Sequence, residues 1–233
     1  MELQKKKLTN QMSNKKLFQN QLEQLLLYDR KWKELKKLSN YFRYIPFIDF
    51  VIVSGSMATG NITKYSDFDV LISVKENRLF FTRYLINFFF GILKKRRTND
   101  FKNSSPNKLC FNHFITRPVW KLKPVDNYGP IIYSNLIPLY GNKNKIKKFF
   151  QINSQYNPQL VNHLLDLRYN CRQSKLITYF IEKILSGKIG DWLEKISFFI
   201  SSKRLSNYLK SIPNKNGRII INKHELEFHF QHK

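Results

Sequence analysis

Cysteine is scarce in these 233 residues. Only Cys110 and Cys171 occur, too few and too far apart for a CxxC-type zinc site or a secreted disulfide framework. A chain of this length can bury roughly 70% of its unfolded surface, so no covalent scaffold is required and a reducing, cytoplasmic compartment is expected. Acid is short relative to base: 16 Asp and Glu stand against 41 Lys and Arg, a formal net charge of +25. That excess is far beyond what solubility needs, and it makes polyanions the expected partners, with binding that weakens in salt. A long apolar run is also missing. The most hydrophobic stretch, Leu79 to Leu93, is shorter than the roughly 20 residues of a spanning helix. Arg83, Asn87 and Gly91 recur along it as one polar stripe, so it reads as an amphipathic helix, buried in a core or docked on a membrane surface. The first residues, MELQKKKLTNQMSNKK, are polar throughout and carry no secretory signal.

What is present is a globular composition. Hydrophobic residues make up 42% and aromatics 15%, with 20 Phe and 12 Tyr, which excludes disorder for the bulk of the chain. After a frayed start, a helix is expected from about Asn14, with Leu17, Leu22, Leu25, Leu26, Trp32, Leu35, Leu38 and Phe42 at helical spacing and Pro46 as the stop. Asp49 to Ser54, Asp67 to Val74 and Leu109 to Thr116 read as strands. Prolines at 118, 124, 130 and 138 break the chain, residues 131–155 and 159–210 read as helical with a turn at Gly187 and Gly190, and Gly217 to Phe230 alternates like a short strand pair.

The sharpest feature is VIVSGSMATGNITKYSDFDVLISV. An apolar strand runs into Gly55-Ser56, where glycine permits a tight strand-to-helix turn and a hydroxyl with helix N-terminal amides can hold phosphate oxygens. Ten residues later a second strand opens with Asp67-Phe68-Asp69, and side chains two apart on a strand share one face. Two convergent carboxylates are hard oxygen ligands of the kind that hold Mg²⁺.

In these parts and their order the sequence resembles the DNA polymerase β-like nucleotidyltransferase superfamily, over roughly residues 45–116. CFNHFIT, IPLYG and GKIGDWLEKI further resemble segments of small bacterial proteins that carry this domain. The resemblance implies an α/β (α+β) fold, a small mixed sheet with flanking helices. It divides the chain into an N-terminal helical segment (1–44), a nucleotidyltransferase core (45–117) and a mainly helical C-terminal region (118–233). It implies that Gly55 and Ser56 bind the triphosphate of an NTP and that Asp67 and Asp69 ligate Mg²⁺. A nucleoside monophosphate would then pass to an acceptor hydroxyl, with pyrophosphate leaving. The acceptor is not identified by the resemblance; the basic charge favours RNA or another polyanion, with a protein as the alternative. The superfamily adds a third carboxylate from a later strand, and here that strand is LCFNHFIT, where Asn112 or His113 stands in place of Asp or Glu. An amide oxygen is neutral and a poor base. The alternative is therefore a catalytically inactive nucleotide- or RNA-binding protein on the same scaffold. Asp49 and Asp100 are the nearby candidates for a further carboxylate.

Other residues read more plainly. His224, Glu225, His229 and His232 lack a metal-ligand register and read as a solvated tail. Cys110, among Leu and Phe, reads as packing. Lys94, Lys95, Arg96 and Arg97 form a basic run, either a grip for a polyanion or a solvated loop, and the helical aromatics Trp192 and Phe198 read as core.

Overall fold

The computed structural model describes residues 2–97, 105–123, 129–156, 176–211 and 217–230. The first 39 residues contain neither Gly nor Pro, and helix α1 (Glu2–Ser39) runs through all but the first, beginning well before residue 14. A 3-10 turn at Asn40–Tyr44 then leads past Pro46. The elements that follow are β1 (Ile48–Val53), α2 (Gly55–Thr59), β2 (Phe68–Val74), α3 (Leu79–Ile92), β3 (Leu109–Ile115), α4 (Gly129–Ser134), β4 (Ile137–Gly141), α5 (Lys143–Ile152), α6 (Leu176–Leu185), α7 (Lys188–Ser211), β5 (Gly217–Ile221) and β6 (Glu225–Phe230). The six strands form one sheet in the order β4-β1-β2-β3-β6-β5. Strands β2 and β3, joined through α3, are parallel, and every other neighbouring pair is antiparallel. The fold is α+β with a mixed sheet, and no described helix is long and apolar enough to cross a membrane.

The period-two alternation of the strands sorts the core into two layers. Val51, Val53, Val70, Ile72, Val74, Leu109 and Phe114 meet α1 and α3 through Trp32, Leu35, Leu38, Phe80, Ile86 and Phe90. Phe50, Ile52, Leu71 and Ile115 meet Trp120 and the α5 residues Ile146, Phe149 and Phe150 on the other face. Helix α3 thus buries its apolar face inside the protein, while Tyr84, Phe88 and Ile92 on its far side are exposed.

The C-terminal half departs from expectation in three places. Residues 131–155 are not one helical stretch, because IPLYG forms β4 on the edge of the sheet against β1, all five residues buried. A five-residue apolar run cannot be told from buried helix by periodicity, and Pro138 is tolerated because β4 is an edge strand. The strand pair at the tail does form, but β6 docks antiparallel on β3. The sheet therefore draws strands from both sides of residue 117. Finally, Trp192 is 62% exposed and Phe198 is 43% exposed among the described residues, although Phe198 stacks edge-on to Phe80 at 4.8 Å. Helix α7 packs against α3 along one face only, which leaves part of its aromatic surface outside the core.

That packing is fastened by polar groups. Glu194 on α7 accepts hydrogen bonds from the backbone N–H of Phe80 (3.0 Å) and Phe81 (2.8 Å), two first-turn donors of α3 that the helix itself leaves unpaired. Arg78, buried just before α3, donates to Asp191 at 2.8 Å and to the Leu185 carbonyl at 3.1 Å. Glu194→Ala is expected to lower stability by about 1–2 kcal/mol, the usual cost of removing a helix cap. Urea denaturation measures it, and an unchanged midpoint would mean that the cap contributes nothing.

Candidate active site

The site is built where β1 ends. The Ser54 N–H donates to the Asp69 carbonyl at 3.0 Å, pinning the turn into α2 against β2. Gly55 then takes φ +63, a left-handed conformation that other residues adopt at a cost of roughly 1–2 kcal/mol. A Cβ there would overlap Asp69 Oδ2 and lie 3.2 Å from the Asp69 Cβ. Glycine is thus required both by the backbone and by the close approach of the carboxylate. Gly55→Ala is expected to push Asp69 aside and weaken divalent-ion binding at least about tenfold, as loss of a ligand-orienting contact does. Calorimetric titration checks this, and wild-type affinity would show that the contact is dispensable. Ser56, the second residue of α2, is half-buried.

Asp67 and Asp69 lie at the start of β2, and the parallel register sets Asp69 beside Cys110 of β3. Carboxylate oxygens of both aspartates and the Cys110 sulfur all lie within 4.8 Å of one another. From Asp69 to Leu71 on β2 the partner moves from Cys110 to His113 on β3, so β3 carries one extra residue, a bulge next to Asn112. The Asn112 Nδ2 donates to Asp69 Oδ1 at 3.4 Å. Arg97, tied to β3 by its backbone N–H on the Leu109 carbonyl, sends Nη1 to Asp67 Oδ2 at 2.6 Å and to Cys110 Sγ at 4.0 Å.

The electrostatics follow from this crowding. Burial, with the neighbouring Asp67 charge added, pushes the Asp69 carboxyl up to about 7. Burial and then the two aspartates push the Cys110 thiol up strongly. The loop that delivers Asp67 is held from α1: Lys31, 2% exposed, donates from Nζ to the Ser66 carbonyl and to Asn107 Oδ1, both at 2.7 Å. Burial lowers the pKa of Lys31, and the charges of Glu34 and Asp67 oppose part of that shift.

Of the residues singled out in sequence, Gly55, Asp67, Asp69 and Asn112 come together here. His113 instead faces β6, its Nε2 3.2 Å from Glu225 and its Nδ1 3.7 Å from Glu227. This corrects the reading of Glu225 as part of a solvated tail; the His229 side chain and His232 lie outside the described residues. Asp49 sits at the far end of β1 from Gly55, paired with Lys145, and Asp100 lies outside the described residues. Sequence reasoning missed three members. Cys110 precedes Asn112 by two on a strand and shares its alternation, a signal that was available. Arg97 was visible only as one of a basic run, and Lys31 carried no signal because its role depends on how α1 crosses the loop.

These residues fit a divalent cation: two carboxylates are held close, one of them poorly solvated, around a point that a cation would neutralise. The model of the nucleotidyltransferase domain matches residues 29–115, from the last third of α1 to the last residue of β3. No curated protein and no solved structure matches the chain. The match, the Gly-Ser turn and the paired aspartates coincide, and residues 29–115 of this chain carry a nucleotidyltransferase domain of the DNA polymerase β-like superfamily.

Proposed function

We propose that this protein transfers a nucleoside monophosphate from an NTP to a hydroxyl of a polyanionic acceptor, RNA above all, with Mg²⁺ held by Asp67 and Asp69. The single observation that carries the reading is the contact of Gly55 with Asp69, which brings the Gly-Ser turn and the paired carboxylates into one site. Bound there, the divalent ion would stabilise charge on the attacking and leaving oxygens. The chain's own residues do the rest. Ser56 and the turn amides bind the triphosphate, Asp69 is oriented by the Asn112 amide, and Asp67 is held by Arg97. Arg97 supplies a second cation at the same point, suited to a phosphate oxygen once an ion takes over Asp67.

A specific observation also favours the second reading, a nucleotide-binding protein without turnover. Asn112 is neutral and already engaged as a donor to Asp69, so it offers no base. Incubation with α-labelled NTPs, Mg²⁺ and either RNA or a protein extract separates the readings. Label on RNA supports the proposal, and label on protein moves the acceptor to a polypeptide. Retention of nucleotide without transfer supports the second reading. In that case Asn112→Asp, which adds a charged oxygen beside Asp69, is expected to raise transfer.

A further inference from the structure

We propose that the Cys110 sulfur completes the ion centre of Asp67 and Asp69, making it a mixed oxygen and sulfur site that holds Zn²⁺ or Co²⁺ more tightly than Mg²⁺. The inference rests on the reading of the two aspartates as an ion centre and adds the identity of the third ligand.

Three observations carry it. The parallel pairing of β2 with β3 puts Cys110 laterally opposite Asp69, and its sulfur belongs to the same cluster of ligand atoms, all within 4.8 Å, as the two carboxylates. The residue expected to take the third position, Asn112, presents Nδ2 and not its oxygen to Asp69. Its Oδ1 is buried and has no hydrogen-bond partner among the described residues. Independently, the domain match identifies a fold that works on NTPs with divalent ions.

The chemistry then separates the ions. Mg²⁺ is a hard ion that prefers six oxygens and keeps most of its waters, so a sulfur neighbour gives it nothing. Zn²⁺ and Co²⁺ accept four-coordinate sites of mixed sulfur and oxygen, and two carboxylates with one thiolate leave the fourth position for water or a phosphate oxygen. As the metal–sulfur bond forms, the thiol proton passes to solvent and Arg97 gives up Asp67 to the ion.

Co²⁺ titrated into the full chain tests this by absorption. The expected result is a near-ultraviolet sulfur-to-cobalt charge-transfer band that survives Cys171→Ser, since the chain has only these two cysteines. The band should vanish in Cys110→Ser and in Asp69→Asn. Cys110→Ser should also weaken Co²⁺ or Zn²⁺ binding at least about tenfold, with Mg²⁺ binding changed far less. Co²⁺ bound without the band, or a band lost only in Cys171→Ser, overturns the role of Cys110 and leaves the ion centre standing. Absence of both Co²⁺ and Mg²⁺ binding, with or without NTP, overturns the ion centre itself. The band and its response to Cys171→Ser decide the matter even where Cys110→Ser does not fold.

Discussion

Asp69→Asn is expected to stabilise the metal-free protein at neutral and alkaline pH while abolishing both its response to divalent ions and nucleotidyl transfer. In the wild type, burial and then the Asp67 charge raise the Asp69 carboxyl from an ordinary value near 3.8 up to about 7. Between those values the folded chain keeps a proton that the unfolded chain releases. Stability therefore falls as pH rises through that window, and below about 4 the residue costs nothing. At roughly 1.4 kcal/mol per pKa unit, the penalty above pH 7 reaches a few kcal/mol at most. The amide of Asn carries no charge and still accepts from Asn112, so the variant escapes the penalty. On the proposed reading, divalent ions would stabilise the wild type by binding only the folded state, and the variant would lack a ligand for them. Transfer should fall at least about 10²-fold, in the range for removing one preorganised group from a charged transition state. Thermal melts at pH 4 and pH 8, with and without Mg²⁺, check the first part and α-labelled NTP the second. A lower melting temperature than wild type at pH 8 without ions would mean that the paired carboxylates are not a source of strain. Undiminished transfer would remove Asp69 from the active site.

The second large effect is in salt. With 41 basic against 16 acidic residues, binding to RNA is expected to fall by about 300- to 2,500-fold between roughly 50 and 200 mM salt. That follows from a slope of about −0.7 per neutralised phosphate on single strands and six to eight contacts. A groove of about 560 Å³ between α1 and the end of α3 is one place for such contacts, because Arg30, Lys33, Lys37 and Lys95 line it beside Tyr41. Part of that charge is already spoken for, since Lys33 pairs with Asp29 at 2.7 Å and Lys95 approaches Glu34 at 3.9 Å. Lys37→Ala with Arg30→Ala should therefore lower the slope by about two contacts' worth without altering base preference. Filter binding across salt concentrations measures both, and affinity indifferent to salt would point to a small-molecule or protein acceptor.

The sequence alone determined what is local or periodic. Short apolar runs punctuated by turn residues set β1, β2 and β3, the absence of Gly and Pro let α1 run unbroken, and Gly55-Ser56 with Asp67 and Asp69 was legible because turn chemistry and strand period act over a few residues. The four-residue recurrence marked α3 as a helix, but its exposed side is Tyr84, Phe88 and Ile92, while Arg83 and Asn87 of the polar stripe are half-buried. Only the tertiary structure decided how the strands pair. That β4 flanks β1 and β6 flanks β3 depends on contacts between residues a hundred or so positions apart, and IPLYG is too short to declare itself as a strand. The parallel register and one-residue bulge between β2 and β3 decided that Cys110, and not Asn112, lies laterally opposite Asp69, and that His113 faces Glu225 and Glu227. A single-residue slip on a strand exchanges one face for the other, so LCFNHFIT alone left open whether Cys110 and Asn112 or His113 would meet the carboxylates, and the register chose the first pair. Likewise Lys31 and Arg97 join the site through the crossing of α1 over the loop before β2 and the backbone tether of Arg97 to Leu109, both of them long-range packing that leaves no pattern in the order of residues.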